Sequence, residues 1–186
     1  MNRLLDIGIS LLALLVLFPF LLVIFFLGLA DTGSPIFQQI RVGQNQRPFT
    51  LIKFRTMKRE TLSVATHLAD PQAVTPIGHF LRRSKLDELP QLWNVLKGEM
   101  SLVGPRPCLF SQEELIGERE RLGAFAVRPG ITGLAQIRGI DMSTPQLLAE
   151  TDAEMLTSLG IQEYFQYLWW TVLGKGSGDR IKKAEG

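Results

Sequence analysis

At 186 residues, with 46% hydrophobic residues and 20 basic against 18 acidic side chains, the chain has room for one compact domain and an appended membrane element, and its net charge of +2 singles out no partner. Cys108 is the only cysteine, which excludes an intrachain disulfide and suits a reducing compartment. His67 and His79 are the only histidines and lack the ligand spacing of a zinc site. Nothing local supports a Cys108–His nucleophile pair, and there is no phosphate-binding glycine loop or dinucleotide fingerprint.

The N-terminal segment dominates the hydropathy. Ile7 to Ala30 is 24 residues without a charge, and as a helix it extends ~36 Å, enough to cross a bilayer. It is too long for a secretory signal peptide, with Arg3 alone before it and no small-residue cleavage site ahead of Asp31. Pro19 has no N–H and crowds the Leu15 carbonyl, so a kink is expected there. Arg3 precedes the segment and basic residues from Arg41 follow it, so the positive-inside tendency favours the cytoplasm at both ends. A hairpin that enters one leaflet and returns satisfies both facts. A kinked spanning helix satisfies the length, and sequence physics leaves the two open.

Asp31 to Pro35 is a turn-rich exit, and Ile36 to Met57, β-branched and aromatic around Gly43 to Gln46, predicts a β-hairpin. Between Arg41 and Arg59 stand six basic residues and no acidic one, a segment that suits phosphate groups, acidic lipid headgroups or nucleic acid as well as a solvated face. Residues 58–74 read as a loop. Thr75-Pro76 predicts an N-cap followed by proline at the first helical position, with Ile77, Phe80 and Leu81 as the apolar face. A second helix is expected from about Asp87 to Lys97, with Leu89, Leu92, Trp93 and Leu96 as its stripe, Pro90 in its first turn and Gly98 as its stop.

Val103 to Pro107 must be irregular, Glu113 to Leu122 reads as a charged surface helix, and Arg128 to Gly133 as a turn. Residues 147–173 are expected to be helical, with a break near Gly160. The last helix carries Ile161, Tyr164, Phe165, Leu168, Trp169 and Val172 along one side, with Tyr167 and Trp170 close by. That pattern fits a helix lying on a membrane interface or one packed into a core. The expected fold is α+β and mostly α, with residues 1–30 as a membrane-inserted helix and 31–186 as the unit that follows.

Chemistry concentrates in Arg82-Arg83-Ser84-Lys85-Leu86-Asp87-Glu88. A helix start with free N–H groups attracts anions, and nearby cations keep carboxylates ionised and neutralise phosphate oxygens. One carboxylate can act as a nucleophile on phosphorus. The other can hold Mg²⁺, which takes one or two carboxylates with substrate phosphates and water. A structural reading competes: Ser84 and Asp87, three residues apart, resemble a capping box.

Four stretches, in order, resemble the bacterial sugar transferase family, the monotopic phosphoglycosyl transferases: Lys53 to Met57 (KFRTM), Leu86 to Val95 (LDELPQLWNV), Lys97 to Pro107 (KGEMSLVGPRP) and Arg128 to Gly133 (RPGITG). The likeness covers essentially the whole chain, as a minimal catalytic unit would. It implies that Asp87 attacks the β-phosphate of a UDP-sugar, expels UMP and carries the phosphosugar until polyprenyl phosphate takes it. Glu88 would ligate Mg²⁺, and Lys53, Arg82, Arg106 and Pro107 would shape the site and meet phosphates. The resemblance also favours a re-entrant N-terminal helix, amphipathic interfacial helices, and an active site at the cytoplasmic face of the bacterial inner membrane. Three positions depart from the family pattern. Phe18 replaces the serine before the membrane proline, and Gln136-Ile137-Arg138-Gly139-Ile140-Asp141 stands where Gln-Val-Asn-Gly-Arg-Asn is usual. The C-terminal aspartate falls near Glu163-Tyr164. The rival readings are a non-catalytic scaffold of a glycan-assembly complex and a peripheral protein binding anionic lipid or nucleic acid. The intact Asp87–Glu88 pair and the ordered motifs argue against both, and nucleic acid is not an expected partner.

Overall fold

The computed structural model describes residues 3–61 and 70–176. Part of the expected 58–74 loop, together with His67 and both chain ends, therefore lies outside the described residues. The first helix, α1 (Arg3–Thr32), is helical through Pro19. Asp6, Ser10, Ile24 and Gly28 are buried along it, while Leu5, Ile9, Ala13, Leu14 and Leu21 pack partly buried beside them. These positions recur at the three- and four-residue intervals of one helical face. The opposite face, including Leu12, Leu15, Val16, Phe18 and Phe26, is exposed and apolar. Ser10, which stands two turns from Pro19, is buried with its Oγ unpartnered among the described residues, so it does not satisfy the carbonyls freed at the proline.

The expected hairpin is present as β1 (Ile36–Val42) and β2 (Pro48–Phe54), antiparallel with Ile36 opposite Phe54 and Val42 opposite Pro48. Its turn is a single 3₁₀ turn, Gln44–Gln46, with Asn45 and Gln46 at positive φ. Met57 then bridges Val74. The helix α2 (Pro76–Ser84) opens as predicted: the Thr75 hydroxyl accepts from Gly78 N at 2.9 Å, and it donates to Asp31 at the end of α1 at 2.6 Å. A Cβ on Gly78 would lie 2.0 Å from the Thr56 carbonyl, so only glycine lets α2 lie this close to the strand exit.

The next helix, α3 (Gln91–Lys97), starts later than expected and ends at Gly98 with φ 86°. Its buried face is Leu92, Val95 and Asn94, whereas Trp93, like Phe80 on α2, points outward. Asn94 acts as an edge partner for β2: its amide donates to Thr50 O at 2.7 Å and its carbonyl accepts from Ile52 N at 3.1 Å. Two short strands, β3 (Ser101–Val103) and β4 (Gly130–Thr132), pair in parallel, so the expected Arg128–Gly133 turn is in part a strand. The helix α4 (Glu113–Arg121) is not wholly a surface helix, because Leu115 and Arg119 are buried. It packs with α5 (Leu134–Arg138) and α6 (Pro145–Ser158) around Cys108, Ala135 and Leu148. The break at Gly160 separates α6 from α7 (Ile161–Val172). Tyr164 and Tyr167 of α7 enter the main core, and Ile161, Phe165, Trp169 and Val172 face outward.

Candidate active site

The carboxylate pair lies in a 3₁₀ turn, Leu86–Glu88, not in the first turn of α3. Pro90 explains the difference. It has no N–H to bond Leu86 O, so the chain closes with three-residue bonds instead: Glu88 N to Lys85 O, Leu89 N to Leu86 O and Leu92 N to Leu89 O. The capping-box alternative fails, because the Ser84 hydroxyl donates back to the Phe80 and Leu81 carbonyls. Lys85, at φ 60°, turns the chain between α2 and the carboxylates.

Asp87 and Glu88 are 1% and 6% exposed. Two buried carboxylates side by side require cations or hydrogen bonds to offset their lost hydration. Arg106 supplies one such partner, donating through Nη2 to Glu88 Oε1 at 2.6 Å. On the other side, β2 packs against the Leu86–Glu88 turn. Lys53 stands near its end, buried, with Nζ 5.6 Å from the Phe37 ring centre. Arg82 in the last turn of α2 is buried and donates through Nε to the Thr56 hydroxyl at 2.7 Å. The Lys53-to-Met57 segment thus contributes a lysine, a core phenylalanine (Phe54) and the hydroxyl that holds Arg82. Its own Arg55 donates to Ser34 O and Ile36 O. Pro107 is buried, and its carbonyl accepts from Arg41 Nη1 at 3.1 Å.

Behind Glu88 opens a cavity of about 620 Å³. Its walls are apolar, from Leu89, Leu92 and Leu102 to Leu168 and Val172, and Leu17 of α1 forms one side. Arg83, Ser84, Lys85 and Glu88 supply polar groups, and the paired hydroxyls of Thr132 and Thr171, 2.6 Å apart, lie in the wall. Among the described residues no three metal-ligating side chains stand together. The donor set nevertheless fits Mg²⁺, which needs only hard oxygens from one or two carboxylates and completes its shell with substrate and water. Arg106 engages one oxygen of Glu88.

Arg138 forms a bidentate pair with Glu154 at 2.5 and 2.7 Å on the surface. Glu163 closes the start of α7 by accepting from Gly160 N, and Tyr164 donates to Asp6 at 2.7 Å. Cys108 is fully buried, and burial pushes its thiol up, away from the reactive thiolate. Three residues escaped the sequence reading. Asp6 accepts from Ser101 Oγ, Leu102 N and Tyr164 Oη. Arg119 and Asp152 form a buried ion pair at 2.6 Å. The spacing of Asp6 from Ser10 and of Leu115 from Arg119, four residues each, marks helical faces on which these polar groups lie inward.

The chain matches the family model described as bacterial sugar transferase over residues 1–175. It is 40% identical over 164 residues to an uncharacterized sugar transferase of Haemophilus influenzae, covering 77% of this chain and 35% of that protein. It is 50% identical over 108 residues to the uncharacterized sugar transferase EpsL of Bacillus subtilis (58% and 53% covered). To the UDP-glucose:undecaprenyl-phosphate glucose-1-phosphate transferase of Caulobacter vibrioides it is 42% identical over 116 residues (60% and 43% covered). The chain thus spans about a third to a half of the length of these relatives.

Proposed function

Because the chain belongs to the bacterial sugar transferase family, we propose that it moves a sugar 1-phosphate from a UDP-sugar to polyprenyl (undecaprenyl) phosphate at the cytoplasmic face of the bacterial inner membrane. The observation that carries this reading is the placement of Glu88, next to Asp87, on an apolar cavity that one wall of the membrane helix completes. A water-soluble nucleotide sugar and a polyprenyl chain need such a boundary. The apolar walls can take isoprene units, and the Arg83–Lys85 rim can take a phosphate.

In the first half-reaction a carboxylate oxygen of Asp87 attacks the β-phosphorus of the UDP-sugar. A new P–O bond forms, the bond to UMP breaks, and UMP leaves with its electron pair. In the second half an oxygen of polyprenyl phosphate attacks the same phosphorus. Asp87 departs as carboxylate, and polyprenyl-diphosphate-sugar is released. Arg106, Arg82 and Lys53 would neutralise phosphate oxygens as charge builds. Glu88 would hold Mg²⁺, which when bound stabilises the phosphoryl oxygens and the departing UMP.

The same reading gives α1 a re-entrant course and α7 an interfacial one. The face of α1 away from the body is apolar along its length, and so is the Ile161–Phe165–Trp169–Val172 face of α7. The deciding experiment supplies purified protein with a UDP-sugar, Mg²⁺ and polyprenyl phosphate and measures UMP. Turnover that requires all three supports the transferase; without the acceptor the covalent mechanism allows one UMP per protein, and sustained UMP release beyond that would refute it.

A further inference from the structure

The Gly104–Cys108 loop carries Arg106 to Glu88, yet it contains two prolines and no regular structure. Its carbonyls are held from outside instead. Four in succession accept from other elements: Pro105 O from Gly130 N at 2.8 Å, Arg106 O from Arg119 Nη1 at 2.8 Å, Pro107 O from Arg41 Nη1 at 3.1 Å, and Cys108 O from Val42 N at 2.9 Å. Two of these donors are guanidiniums nine-tenths or more buried, which is costly unless the arrangement is wanted. Arg119 is anchored in turn, because its Nε and Nη2 both donate to Asp152 Oδ2, at 2.9 and 2.6 Å.

From this geometry we infer that Arg119, fixed by Asp152, is a positioning residue for the transfer: it clamps the Arg106 backbone and so sets the Arg106 guanidinium on Glu88. The clamp spans three elements. Asp152 belongs to α6, Arg119 to α4, and the loop follows β3. A planar guanidinium suits the task, since one edge meets the carboxylate while the remaining nitrogen reaches the carbonyl. A lysine has one nitrogen for both. Arg119 touches no reacting group and acts only through Arg106, so the inference rests on the transferase reading for its kinetic consequence and on the loop itself for its physical one.

The test replaces the pair together, as Arg119→Met with Asp152→Leu, because removing one charge leaves the other buried and unpartnered and risks the fold. With the melting temperature near that of the parent, kcat should fall by about 10- to 100-fold, the range for one hydrogen bond to a charged group. In an Arg106→Ala background the same replacement should add less than about 3-fold, since the residue it positions is already gone. Losses that multiply in full in that background would overturn the inference. Hydrogen exchange supplies the reading that needs no substrate. Amides of the peptide spanning 104–108 should exchange faster in the replaced protein than in the parent, and unchanged exchange would also overturn the clamp. A parent protein without turnover would sink the transferase reading and leave the clamp to be decided by exchange alone.

Discussion

Asp87 and Glu88 have different roles in the proposed mechanism, and those roles predict different phenotypes. Arg106 fixes one oxygen of Glu88. Under the proposed mechanism Asp87→Asn abolishes turnover and any phosphosugar trapped on the protein, because an amide is a poor nucleophile. Glu88→Ala lowers rate and weakens Mg²⁺ dependence while leaving a trace of the covalent species. Mass spectrometry of protein quenched with a UDP-sugar distinguishes the two, and near-normal turnover by Asp87→Asn, checked for deamidation, removes the covalent step. Charge alone does not decide the matter. Arg106→Ala loses a charge-assisted hydrogen bond worth about 1.5–3 kcal/mol and should cut activity by 10-fold or more. Lys58 is exposed beyond β2, and Lys58→Ala should change the rate by less than about 2-fold, since an exposed charge contributes little. Equal losses from both, in folded proteins, would mean that only overall positive charge matters.

At the scale of elements, α1 and α7 are tied by a polar contact inside an apolar core. The Tyr164 phenol donates to Asp6, and burial first, then Asp6, push its pKa far above the ordinary tyrosine range. A folded pKa raised above the unfolded value, ~10, gives stability that is complete below that value and is lost as pH rises through the higher one. Wild type should therefore exceed Tyr164→Phe by about 1–2 kcal/mol at neutral pH, and the gap should narrow only above about pH 10. Thermal melts across pH check this, and a gap that closes below pH 9 contradicts it. Gly78→Ala tests the packing of α2 on the exit of β2. Its Cβ must push Thr56 away, which should cost about 1–3 kcal/mol and loosen the Arg82–Thr56 bond.

These elements also show what was legible beforehand. Thr75-Pro76 and Gly98 gave real boundaries because capping is local chemistry, and the hairpin came from local composition. Asp87 and Glu88 are legible as adjacent carboxylates, but their 3₁₀ turn is not, because Pro90 acts through a missing bond to Leu86. The β3–β4 pair and the Arg119–Asp152 contact join residues about 30 apart, and nothing in either segment alone announces its partner.

For the molecule as a whole, the decisive question is whether α1 crosses the bilayer, and its packing supplies an argument that length and charge could not. A spanning helix must leave the body after its first exit and carry its far end to the other side. Here buried residues stand toward both ends of the helix, Asp6 and Ser10 near the N-terminus and Ile24 and Gly28 near the other end. Crossing would strip Asp6 of its bonds from Ser101, Leu102 and Tyr164, and Arg3 of its bond to the Leu96 carbonyl at 2.9 Å. Each buried polar group so orphaned costs about 1–3 kcal/mol, more in hydrocarbon. The outward face needs no such crossing to be covered, since a helix lying in one leaflet buries Leu12, Leu15, Val16 and Phe26 equally well. Both ends of α1 are therefore expected on the cytoplasmic side. Single cysteines at Leu4 and Ile40, both exposed, in a Cys108→Ala background report this with an impermeant thiol reagent on intact cells. Both should stay protected until the inner membrane is opened. Labelling of Leu4→Cys in intact cells, with Ile40→Cys protected, would establish a crossing. Adding Asp6→Leu discriminates further. If the polar tie holds the N-terminus down, this change alone should raise labelling at position 4, whereas a helix retained by its apolar stripe would remain protected.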